Sequence, residues 1–157
     1  MVRIENNFLN NIEFIKIQNI IFSKNFHWHI TNTNPFILRH DLINEQGKTL
    51  SAFLSDTCSY LFQNLKIDIV LESYVLLQAK DQYSKDYRFE SEFIKNKNFK
   101  TFLIILDSSD GYLQIPGLKK IPCEENRALF LETPINLTHY NPIKNEKKNY
   151  VNCTLFV

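Results

Sequence analysis

The sequence predicts a mainly β chain of the α+β class: two helices, then a barrel-like antiparallel sheet of the sandwich or jelly-roll type. Two early segments have apolar residues at helical spacing. After Asn64 the texture changes to short β-rich runs: "IDIVLESYVLLQA", "YRFESEF", "FKTFLIIL", "YLQIP", "LKKIP", "RALFLE" and "NYVNCTLFV". Turn-like "DSSDG", "IPGL" and "PCEEN" separate them, and many short strands at close spacing are the mark of a sandwich or jelly roll.

The first helix is read over Phe8 to Phe22, "FLNNIEFIKIQNIIF", with apolar residues at 8, 9, 12, 15 and 20 to 22 and Asn6 or Asn7 as its cap. "SKNFHWHITNTNPF" reads as loop and short strand, with Pro35 excluding a regular helix. A second helix is expected over Lys48 to Leu65. Leu50, Phe53, Leu54, Thr57, Cys58, Leu61 and Leu65 form its apolar stripe, and Thr49 or Ser51 lies near its start. No internal repeat or low-complexity linker interrupts the chain.

With 157 residues the chain is expected to form one domain, 1–157, its helical part spanning 1–66 and its β core 67–157. An apolar fraction of 44% and an aromatic fraction of 13% are those of a globular protein. A formal net charge of +1 gives no basic surplus for nucleic acid, and no apolar run approaches the roughly 20 residues of a membrane span. "MVRIENNFLNNIEF" lacks a signal peptide's apolar core, so a cytoplasmic location is expected. Cys58, Cys123 and Cys153 form no C-x-x-C pair and read as buried thiols in a reducing compartment.

Four histidines are present. His27 and His29 flank Trp28 at a spacing that suits two ligands on one strand, but also suits edge or surface histidines around a core tryptophan. His40, in "LRHDL", reads as an ordinary loop or strand residue. In "YRFESEF", Glu90 and Glu92 stand one residue apart, a spacing that projects two carboxylates from one face of a strand. Such a pair is either solvated surface charge or part of a metal site.

The order of punctuation in the second half adds information. Thr101, Leu106, Asp107 and Gly111-Tyr112 are followed by Pro122, Asn126, Arg127 and Phe130, then by His139, then by Tyr150, Val151 and Asn152. This order resembles the Fe(II)/2-oxoglutarate-dependent oxygenase superfamily, above all its short prolyl-hydroxylase-like phage and bacterial members. The resemblance implies a double-stranded β-helix (jelly roll, cupin-like) with two or so N-terminal helices packed on its outside. It implies Fe(II) held by two imidazoles and a carboxylate, with 2-oxoglutarate as cosubstrate.

In that register Glu90 stands where the first histidine belongs, Glu92 where the aspartate belongs, and His139 at the distal histidine. Lys148 stands where an arginine is expected to pair with the cosubstrate's far carboxylate, and Lys147 is a less well-aligned substitute. Arg127 reads as structural, paired with acids of the hairpin. Glu90, Glu92 and His139 make a harder, more anionic donor set than the usual one, so another divalent metal, or none, is an alternative to iron. Two readings follow: a 2-oxoglutarate-dependent dioxygenase hydroxylating a protein side chain or small molecule, or a catalytically inactive member serving as a binding or structural module. A cupin-like sugar-binding protein or isomerase is a third. The substrate and oligomeric state are not written in any motif.

Overall fold

The apolar run that begins at Thr101 becomes an interior strand of the larger sheet, flanked on both sides. A computed structural model describes residues 1–33, 36–44, 46–53, 61–66, 70, 73–79, 87–89, 100–109, 111–132, 137–140 and 150–156; at 32–33, 36, 78–79, 87–89, 137–140 and 150–156 it describes the backbone alone. The elements are β1 (Val2–Glu5), α1 (Asn11–Ile21), β2 (His29–Thr33), β3 (Phe36–Ile43), β4 (Ser73–Ala79), β5 (Tyr87–Phe89), β6 (Thr101–Ile105), β7 (Tyr112–Gln114), β8 (Ile121–Pro122), β9 (Ala128–Leu131), β10 (Leu137–Tyr140) and β11 (Tyr150–Phe156). Every described strand pairing is antiparallel.

The expected closed barrel does not form. A seven-stranded sheet runs β1-β9-β6-β11-β4-β3-β2, and a four-stranded sheet runs β5-β10-β7-β8. The hydrogen-bonded ladders stop at β1 and β2 in one sheet and at β5 and β8 in the other. No described strand bonds to both sheets, so the double-stranded β-helix expectation is corrected to a mixed α+β topology of two open sheets. Apolar alternation predicts strands and their buried faces; closure depends on which distant edges meet, and these do not.

Three layers result. Along β6, Phe102 and Ile104 join Phe14, Ile17, Ile21, Leu42, Val75 and Ala128 in a cluster under α1. Leu103 and Ile105 point the other way and join Tyr74, Leu129 and Leu131 of the large sheet with Leu113 and Ile121 of the small one. Successive residues of a strand face opposite sides, so a strand covered on both sides must be apolar throughout.

Helix α1 starts later than its periodicity suggests. Asn10 is the cap, its side-chain oxygen accepting from the Glu13 amide at 3.0 Å, and Glu13 places negative charge in the first turn. The preceding residues are held elsewhere: Asn7 has φ 51°, and the amides of Phe8 and Leu9 donate to the Asn126 carbonyl and side-chain oxygens at 3.0 and 2.9 Å. Phe14, Ile17 and Ile21 then face the core, and the helix packs as expected on the outer face of the large sheet, away from the small one.

The second expected helix is described only in part. Residues 61–65 are helical and Leu61 is fully buried, while 54–60 lie outside the described residues. Its expected beginning is not helical: Thr49 bridges to Ile43, and the Leu50 amide donates to the Leu42 carbonyl at 2.9 Å. Leu50 is exposed, and Ser51 is buried against His40. The "IPGL" turn forms as read, with Gly117 at φ 82° and the Leu118 amide donating to the Ile115 carbonyl at 3.0 Å, the geometry of a turn with proline then glycine at its centre.

Asn126 is buried with φ 58°, and its amide nitrogen returns a hydrogen bond to the Leu9 carbonyl at 2.8 Å. Asn126→Ala should destabilise the protein by about 3 kcal/mol, since two backbone groups of Leu9 lose their partner and alanine resists this φ. Asn126→Gly should recover only the conformational part; urea unfolding of the three proteins checks both. Burial pushes the Cys123 thiol up from 9.0 to about 11, against smaller opposing effects of Ser109 and Arg127. The unfolded chain therefore loses this proton first, so Cys123 should make stability fall as pH rises from about 9 to about 11, and Cys123→Ser should flatten that limb in a pH series of unfolding curves.

Candidate functional site

The small sheet holds the one expected ligand whose backbone is described. His139 lies on β10 directly opposite Tyr87 on β5 and Leu113 on β7, and Leu113 in turn lies opposite Ile121 on β8. Leu113 and Ile121 are buried in the cluster shared by the two sheets. Residues directly opposite in a ladder share a face, so His139 occupies a register row whose described side chains end in the space between the sheets. Strand β5 ends at Phe89, one residue before Glu90, and β11 begins at Tyr150, two residues after Lys148. Glu90, Glu92, Lys147 and Lys148 themselves lie outside the described residues. Among the described residues, no group of three or more His, Cys, Asp or Glu side chains could hold a metal ion.

The "P…NR…F" segment has a structural role. Arg127 is buried; its Nε donates to Asn6 Oδ1 at 2.7 Å, one terminal nitrogen to the Pro122 carbonyl at 2.6 Å, and the other to Glu124 Oε2 at 2.6 Å. Arg127 is structural as read, but its acid is Glu124 of its own segment and not one of the preceding hairpin. Phe130 packs on Phe8 and Phe102, with ring centroids 5.6 and 5.1 Å apart. These positions anchor the N-terminal segment to the sheet.

The other histidines are distributed by packing. Trp28 is half-buried against Phe26, while His27 and His29 are exposed and His29 sits on the edge strand β2. His40 stacks on Phe26 with ring centroids 4.0 Å apart. Its Nδ1 meets the His27 carbonyl and its Nε2 meets Ser51 Oγ at 2.7 Å. A carbonyl only accepts, so Nδ1 carries a proton, while Nε2 and the Ser51 hydroxyl share the second hydrogen bond. This is a satisfied strand histidine whose partners lie in the chain before β2 and at the start of the expected second helix.

One polar group escaped the sequence reading. Arg39 and Asp41 are ion-paired on β3, and His29 Nε2 lies 3.4 Å from Asp41 Oδ2. The Arg39 guanidinium carbon lies 3.9 Å above the centre of the buried Tyr74 ring. The signal was present as an alternation of opposite charges in "LRHDL", but its third member joins only when β2 pairs with β3.

No family model matches the chain, and no curated protein matches it in sequence. Solved structures do. The non-haem α-ketoglutarate-dependent epimerase SnoN from nogalamycin biosynthesis aligns over 99% of this chain and 77% of its own, with TM-score 0.62 and 8% identity. A Pseudomonas putida prolyl-4-hydroxylase aligns over 99% and 90%, with TM-score 0.59 and 10% identity. An oxidoreductase of the 2OG-Fe(II) oxygenase family from Burkholderia pseudomallei aligns over 99% and 83%, with TM-score 0.53 and 7% identity. At these identities the likeness is one of fold alone: the chain shares the fold of these oxygenase and epimerase structures.

Proposed function

We propose that this chain, built on the fold of the 2OG-Fe(II) oxygenases, is a divalent-metal- and 2-oxoglutarate-dependent oxygenase acting on a protein side chain or small molecule. The observation that carries the reading is the pairing of β10 with β5. It sets His139 on the strand adjacent to the one that runs directly into Glu90 and Glu92.

The donor chemistry fits a divalent metal. His139 would supply a neutral nitrogen, and Glu92 and Glu90 would supply carboxylate oxygens, a combination suited to Fe(II) and, through its extra negative charge, to manganese or magnesium. When bound, such a metal supplies oxygen activation at its open coordination positions. Lys148 would hold the far carboxylate of 2-oxoglutarate as a point charge, without the planar fork of an arginine. Leu113 and Ile121, in the row of His139, are buried and would give such a site an apolar neighbour. A cytoplasmic location accords with three cysteines that form no C-x-x-C pair.

The second reading is a binding or structural module on the same fold, without turnover. Glu90 and Lys148 standing where the resemblance expects histidine and arginine favour it. So does the register, which sets His139 between Tyr87 and Leu113.

One experiment separates the two. The protein is purified anaerobically and mixed with Fe(II) and 2-oxoglutarate, and the weak visible charge-transfer band of the chelate and release of succinate are recorded. The oxygenase reading expects both signals, and expects His139→Ala and Glu92→Ala to abolish them. It also expects the combined change Glu90→His, Glu92→Asp and Lys148→Arg to tighten Fe(II) binding by about tenfold or more. Bound 2-oxoglutarate without succinate supports the second reading; absence of band, succinate and metal sinks the first.

A further inference from the structure

The seven-stranded sheet ends at β1, whose outer edge no described strand covers. In an antiparallel ladder the bonded pairs alternate, so every second residue of β1 addresses β9 and the rest address whatever lies outside. The Met1 carbonyl accepts from the Glu132 amide at 3.1 Å, and the register continues with Arg3 opposite Phe130 and Glu5 opposite Ala128. Met1, Arg3 and Glu5 are therefore the residues bonded toward β9. The backbone N–H and C=O groups of Val2 and Ile4 point away from the sheet. The ladder on the other side of β9 agrees: the Ile105 amide donates to the Arg127 carbonyl, which assigns the odd-numbered residues of β9 to β6 and leaves the even-numbered ones to β1.

The side chains on this edge are equally ordered. The Arg3 guanidinium carbon lies 3.9 Å above the centre of the Phe130 ring, and its Nε lies 3.0 Å from Glu5 Oε1. Both charged side chains stand largely in solvent, at 62% and 40% exposed. The two terminal nitrogens of Arg3 and the second oxygen of Glu5 make no bond among the described residues. Ile4 projects to the opposite face of the strand, beside Leu129, and is an exposed large apolar side chain. Charges on an edge usually deter pairing. Here the two signs stand two residues apart around an isoleucine, a pattern that can be its own complement.

A second, antiparallel copy of β1 can bond to this edge only where outward-facing residues meet, and that limits the registers. With Ile4 opposite Val2 of the copy, Arg3 faces Arg3. With Ile4 opposite Asn6, Glu5 faces Glu5. Like charges directly opposite are destabilising. With Val2 opposite Val2, Ile4 is left without a partner. With Ile4 opposite Ile4, the two isoleucines exchange both backbone hydrogen bonds and cover each other. Each Arg3 then stands opposite Glu5 of the second copy, in a non-hydrogen-bonded pair, where side chains approach most closely. This register alone is complementary in charge and in apolar contact, and it has the twofold symmetry that a closed dimer requires. We propose that β1 is a dimer interface, joining two copies of this chain antiparallel about Ile4 into one continuous sheet.

Sedimentation equilibrium of the full chain, from about 10 µM to about 1 mM, tests this. A reversible monomer–dimer equilibrium is expected. Ile4→Pro removes the outward N–H while every bond toward β9 keeps its donor, so it should weaken the dimer by about tenfold or more and leave the fold in place. Arg3→Glu and Glu5→Arg each set like charges opposite one another in both symmetric pairs, and each should weaken self-association by about tenfold or more. Mixed in equal amounts, these two variants should associate as tightly as the parent chain, because an all-acidic strand then faces an all-basic one. Both variants lack the Arg3–Glu5 pair within the strand, so recovery on mixing reports the contact between copies alone. A chain that stays monomeric at the highest concentration, assemblies larger than a dimer, a dimer indifferent to Ile4→Pro, or a mixture that associates no better than either variant alone overturns the proposal.

Discussion

A single buried amide organises the junction on which both cores depend. Asn126 adopts a left-handed conformation, gives its side-chain oxygen and nitrogen to the two backbone groups of Leu9, and accepts the Phe8 amide on its own carbonyl. Its own amide donates to the Ile105 carbonyl, and the Ile105 amide donates to the Arg127 carbonyl. The end of β6, the entry to β9 and the lead into α1 are thereby joined at one point. Asparagine suits this position because it tolerates positive φ and pairs with a peptide group at both ends of its amide. Arg127 extends the junction to Asn6, Pro122 and Glu124, so the charged member of the "NR" pair reinforces what the neutral one begins.

From that junction the layering follows. Once Leu9 is tied down, Asn10 can cap α1, and Gln18 reaches the carbonyl of the buried Leu106 at 2.6 Å. Phe14, Ile17 and Ile21 then cover one face of the large sheet, while the small sheet covers the other. The wing formed by β2 and β3 carries the Arg39–Asp41–His29 group, and the small sheet carries His139.

Much of this was legible in the residues, and what was not has physical causes. "FKTFLIIL" reads as a buried strand, and "IPGL" as a turn, because their determinants are local. The start of α1 was misplaced because Phe8 and Leu9 continue its apolar period yet are held by Asn126, 117 residues beyond Leu9. The second helix was begun too early because Thr49 bridges Ile43 and Ser51 serves His40. Strand β1, "VRIE", alternates apolar and polar residues but over too short a run to be singled out, and is a strand through pairing with β9, while the short strand read in "HITNT" forms as β2 against β3. Barrel closure was expected from strand spacing, which counts strands but does not decide which edges bond. His139 entered through resemblance; its backbone lies on β10, opposite Leu113 of β7. The Arg39–Asp41–His29 group is assembled across two strands and left too slight a trace to be singled out.

The two-sided burial of β6 also bears on how the chain reaches this state. Thr101 to Leu106 becomes sheltered only after β9, β11, α1 and the small sheet have all arrived, and its partners on β11 lie about fifty positions away. Pairings of such long range form late and slowly. Until then "TFLIIL" is an uncharged, strongly β-prone segment without proline, the composition that drives intermolecular sheet formation. Lys100 and Asp107 stand immediately at its two ends, opposite charges flanking a hazardous stretch in the manner of gatekeepers. The strand that gives the native molecule its centre is therefore also its main liability to self-association while it folds.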